Sequence, residues 1–99
     1  MSNLLSNLEP KSVFHLFGEL SKHPRPSKNE KAAADWIRSW AKELNIKIKT
    51  DSYGNMTLFK PATPGMENKQ AVCMQGHLDM VGVAAKGHTF DFNKDPLDL

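Results

Sequence analysis

The four-residue apolar run Ala71-Val72-Cys73-Met74 constrains this chain most. It is continuous rather than alternating, and it is bounded by polar residues. That pattern fits a strand buried on both faces. Such a strand needs neighbours on both sides and layers above and below. Two helices precede it by pattern. The first spans Lys11 to Ser21, with Pro10 where helix starts tolerate proline and with Val13, Phe14, Phe17 and Leu20 at helical spacing. It ends at His23-Pro24-Arg25-Pro26, because proline disfavours helix in the residue before it. The second runs from Lys28 to Leu44. Ser27 and Glu30 have capping-box spacing, Ala33, Trp36, Ile37, Trp40, Ala41 and Leu44 form one apolar stripe, and Asn45 supplies the stop. The stripe is expected to pack on the sheet face that includes Val72 or Met74.

A hairpin follows the helices. Ile46 and Ile48 alternate with Lys47 and Lys49, Tyr53-Gly54-Asn55 is a turn signal, and Met56 to Lys60 returns. The lysines read as a solvated face. Pro61 to Lys69 is a loop by composition, and Lys86 to Lys94 is another. The expected fold class is α/β: helix, helix, β-hairpin and buried strand, the opening of an α/β sandwich. It offers too few elements to cover its inner strand, so the architecture is expected to be incomplete.

Ninety-nine residues allow one domain at most. Thirteen basic against eleven acidic side chains give a net charge of +2, spread along the chain, which argues against a nucleic-acid partner. No signal-peptide pattern and no membrane-length apolar stretch is present, so a soluble cytoplasmic protein is expected. Cys73, the single cysteine, suits a reducing compartment and is expected to be a buried, inert thiol.

His77-Leu78-Asp79 is where chemistry is expected. In an extended segment residues i and i+2 share a face, so an imidazole and a carboxylate would lie side by side at the end of the inner strand. Ligands of open α/β sheets bind at strand ends of this kind. A neutral imidazole binds zinc through one nitrogen, and a carboxylate can hold the other nitrogen's proton. The spacing alone equally describes a strand-end histidine hydrogen-bonded to Asp79 and nothing more. His15 and His23 read as structural or surface residues. His88, with Asp91 and Asp95, reads as ligands or, equally, as a polar loop. No nucleophile elbow, P-loop or dinucleotide fingerprint is present.

Six stretches together are similar to one family: Leu4 to Pro10; His23 to Ser27 with Glu30; Asp51 to Asn55; Lys60 to Asn68; Gln75-Gly76-His77-Leu78-Asp79-Met80-Val81; and Asp91 to Pro96. They resemble, in order, the N-terminal part of the aminoacyl-histidine dipeptidases. These are also called cytosol non-specific or beta-alanyl-histidine dipeptidases, within the co-catalytic zinc exopeptidases. Val83-Ala84-Ala85 departs from a more polar stretch in the family. The resemblance implies a dipeptide-hydrolysing enzyme with two zinc ions, manganese or cobalt being possible substitutes. It implies His77 as a metal ligand and Asp79 as the catalytic-site carboxylate that orients it. It also implies a bridging aspartate, a general-base glutamate, and a lid or dimerisation domain, none of them within residues 1–99. The whole chain would then be the N-terminal part of the catalytic domain of a possible homodimer, inactive alone. The alternative is a non-catalytic α/β scaffold or binding module.

Overall fold

The computed structural model describes residues 3–99. After a short 3-10 helix at Asn3–Asn7 come α1 (Lys11–Ser21), α2 (Lys31–Glu43), β1 (Lys47–Thr50) and β2 (Met56–Phe59). The described residues form two compact units. One takes the residues up to Trp36 together with Leu78–Leu99, and the other is Ile37–His77. The helices and the antiparallel hairpin are those of an α/β segment, as the sequence predicts.

In the first unit, α1 occupies the expected span. Pro10 is its N-cap, with φ −74° and ψ 130°, and its carbonyl accepts from the amides of Val13 and Phe14. The apolar spacing only partly describes its burial. Phe14 and Leu20 are half-buried, but Val13 and Phe17 are exposed, and the buried positions are Gly18 and Ser21. Ser21 is 1% exposed, and its hydroxyl donates to the Phe17 carbonyl at 2.7 Å. Buried polar groups persist only when bonded, and this one is.

α2 begins later than predicted. Lys28 sits at φ 70°, outside helical geometry, and the Asn29 amide donates to the Pro26 carbonyl in a turn. Glu30 reaches back to the Lys28 amide at 2.9 Å, not to Ser27. The Ser27–Glu30 capping box therefore does not form. The predicted stop at Asn45 holds, with Asn45 left-handed at φ 56° and the Ile46 amide donating to the Ala41 carbonyl at 2.8 Å. That six-to-one bond closes a Schellman motif. Burial along α2 falls on small side chains. Ala33 and Ala41 are fully buried, whereas Trp36, Ile37 and Trp40 are half-buried and Leu44 is exposed.

In the second unit, β1 and β2 pair with Lys47 opposite Phe59 and Thr50 opposite Met56. The alternation places Ile48 across from Leu58 on one face and Lys47, Lys49 and Phe59 on the other. Both ammonium groups lie within 6 Å of the Phe59 ring centre, at 5.6 and 5.8 Å. The turn is built on Asp51. Its Oδ1 accepts from the amides of Tyr53 and Asn55, its Oδ2 from the Asn55 side chain, and Gly54 takes φ 88°. These bonds hold the Asp51 carboxyl below the usual carboxylate range, the Asn55 side-chain amide contributing most.

The inner strand differs from expectation. Ala71 to Met74 form no strand, and Val72 and Met74 are 88% and 93% exposed. Cys73 is likewise exposed rather than buried. The expected packing of the α2 stripe on Val72 or Met74 is therefore not made. The reason is the need for a ladder on each side: β1 and β2 are the only sheet among the described residues, and neither pairs with this run.

Candidate functional site

The end of α1 and the Pro-Arg-Pro-Ser turn build the first side of the site. The Arg25 side chain folds back onto the helix it follows. Its Nη1 donates to the carbonyl of Leu20 at 3.0 Å and, less closely, to that of His23 at 3.4 Å. The Leu20 carbonyl also accepts from the His23 amide at 3.1 Å, so the guanidinium adds a second donor at the helix C-terminus. Arg25 is only 8% exposed, and burial pushes its guanidinium pKa down from the ordinary value. The half-buried His23 ring lies 5.7 Å from that of Trp36.

With Arg25 anchored, its backbone receives the stretch that follows His77. The Met80 amide donates to the Arg25 carbonyl at 2.9 Å, and Pro26 and Met80 form a parallel bridge. One residue further out on each side, the Ser27 hydroxyl donates to Asp79 Oδ2 at 2.5 Å. A third stretch closes on the same place. The Leu97 amide donates to the Ser21 carbonyl, and the Asn29 side chain to that of Asn93. Met80, Phe90, Phe92 and Leu97 meet Pro24 and Pro26 around a small apolar recess.

The predicted site residues have different surroundings. Asp79 is half-buried in the first unit and is held by Ser27. His77 closes the second unit as an exposed residue. His15 is exposed on α1. His88 is exposed in a tight turn, its amide on the Ala85 carbonyl and Gly87 at φ 86°. Asp91 and Asp95 serve their own loop: Asp91 Oδ1 accepts from the Asn93 amide, and Asp95 Oδ2 from the Asp91 amide. Among the described residues, no three of His, Cys, Asp and Glu gather as a group able to hold a metal ion. Sequence reasoning missed Ser27 and Arg25. Ser27 carried a competing signal, the capping-box spacing, and an arginine between two prolines gives no periodicity from which burial could be read.

Over 93 residues, 94% of its length, the chain is 41% identical to the cytosol non-specific dipeptidase of Escherichia coli (strain K12). Its fold superposes on the crystal structure of aminoacylhistidine dipeptidase from Vibrio alginolyticus with a TM-score of 0.89 and 40% identity, over 97% of this chain. Along nearly all of its length, the chain is similar in sequence and fold to one segment of each of these dipeptidases. That segment is short. The chain spans 19% of the Escherichia coli dipeptidase and 20% of the Vibrio dipeptidase. No protein-family model matches it. No helix among the described residues is long and apolar enough to cross a membrane.

Proposed function

We propose that this chain is part of the catalytic domain of a metal-dependent dipeptidase, acting in the cytoplasm on dipeptides of the Xaa-His kind or on a broader range. The observation that carries the reading is the likeness, along nearly the whole chain and in both sequence and fold, to two dipeptidases. The Escherichia coli relative's description as a cytosol enzyme supports the compartment.

Within this reading His77 is a metal ligand and Asp79 the carboxylate that orients its imidazole. His77 is exposed, and a neutral imidazole is a common metal ligand. Asp79 is held by the Ser27 hydroxyl, as carboxylates around metal sites commonly are held by a neighbouring donor. Two zinc ions are the proposed metals, with manganese or cobalt as substitutes. When bound, they would supply an activated water and polarise the scissile carbonyl. The further ligands, the general base and the lid or dimerisation domain would come from polypeptide outside residues 1–99.

The test is hydrolysis of beta-alanyl-histidine and other dipeptides by the full-length protein, before and after removal of metal with a chelator. The reading expects turnover that is lost on chelation and restored by zinc, manganese or cobalt. Absence of turnover with every metal would favour the alternative, a non-catalytic scaffold.

A further inference from the structure

Arg25 is only 8% exposed and lines the recess at the end of α1, yet among the described residues no carboxylate pairs with it. A buried charge is costly unless it is paired. We infer that the recess is a binding site for a small organic monocarboxylate, its carboxylate on the free edge of the Arg25 guanidinium and its apolar part against Phe90 and Phe92. Every residue of the recess belongs to the first unit, and neither His77 nor Asp79 is among them.

The guanidinium is half used. Nη1 alone donates to the carbonyls of Leu20 and His23, which fixes the plane of the group. No buried side-chain nitrogen or oxygen among the described residues lacks a hydrogen-bond partner. The Arg25 nitrogens that make no bond, Nε and Nη2, are therefore open to solvent, and the opening that Arg25 lines is the recess. These two donors form one edge of a rigid fork, which matches the two oxygens of a carboxylate. Burial lowers the pKa of Arg25 with no opposing charge to raise it. The surroundings select the rest of the ligand. The half-buried rings of Phe90 and Phe92 lie 4.8 Å apart on the recess and offer an apolar surface beside the cation. Asp95 also lines the recess, with Oδ2 on the Asp91 amide. Its like charge favours an anion of single charge over a doubly charged phosphate.

The experiment titrates the full-length protein with phenylacetate, its neutral analogue phenylacetamide, and inorganic phosphate. The readout is the Nε–H resonance of Arg25 in arginine-labelled protein, assigned by its loss in Arg25→Lys. Phenylacetate should shift that resonance saturably. Phenylacetamide should bind about tenfold more weakly or worse, because it lacks the charge on which the fork acts. Phosphate should bind more weakly than phenylacetate. Asp95→Asn keeps an oxygen for the Asp91 amide and should tighten phenylacetate binding several-fold. The assignment is overturned if phenylacetate leaves the resonance unmoved, or if phenylacetamide binds equally well. It is also overturned if Asp95→Asn abolishes binding. An Nε–H already protected from exchange without ligand, and indifferent to phenylacetate, would show that a carboxylate of the polypeptide itself occupies the fork, and would overturn it too. The measurements on the parent protein decide the matter even where Arg25→Lys fails to fold.

Discussion

At the residue scale, short polar bonds decide the local conformation. Asp51 accepts three donors from its own turn, and its carboxyl is held below its ordinary value. A group depressed in the folded state adds stability that is complete above the ordinary carboxylate range. That stability is lost as pH falls through the depressed value. The 51–55 turn should therefore loosen on acidification, and Asp51→Asn should flatten that dependence. Amide exchange at Tyr53 and Asn55 across the acid range checks it; equal protection at low and neutral pH would contradict it. Arg25 acts in the same way with more burial. Arg25→Ala removes a donor from the Leu20 carbonyl and should destabilise by about 1–3 kcal/mol in denaturant unfolding. A change within error would show that solvent replaces the guanidinium at no cost.

At the scale of elements, burial on α2 rests on alanines. Ala33 and Ala41 are fully buried, so there is no room for growth at either position. Ala41→Leu should cost about 1–3 kcal/mol by overpacking. Trp40 is half-buried, so Trp40→Ala should cost less than the roughly 3–5 kcal/mol of a fully buried ring. Unfolding curves for the two variants separate these cases, and a neutral Ala41→Leu would show that the helix can shift to make space. Local rules were readable in advance wherever they act over a few residues. The span of α1, the Asn45 stop and the hairpin follow from proline, the apolar period and turn residues. The capping box failed because Lys28 takes a positive φ and Ser27 has a distant acceptor, Asp79. The inner strand failed for a different reason. An apolar run encodes a wish for neighbours, but Ala71–Met74 finds none in the only sheet among the described residues. Long-range pairings such as Ser27 with Asp79 leave no mark in spacing.

At the scale of the whole molecule, the 99-residue chain supplies two residues of the proposed site and about one-fifth of the length of either dipeptidase. A catalytic zinc takes about three protein ligands and a water. Residues 1–99 alone should therefore bind zinc weakly and release no histidine from beta-alanyl-histidine with zinc, manganese or cobalt present. Turnover that disappears in His77→Ala would show that more of the site lies here than the structure suggests. The measurement that bears most directly on the central claim is the metal content of the full-length protein, parent against His77→Ala, by elemental analysis after dialysis. The account predicts that His77→Ala retains about one metal ion fewer per chain, with most of the dipeptidase activity gone. The same metal content and activity in both proteins would contradict it.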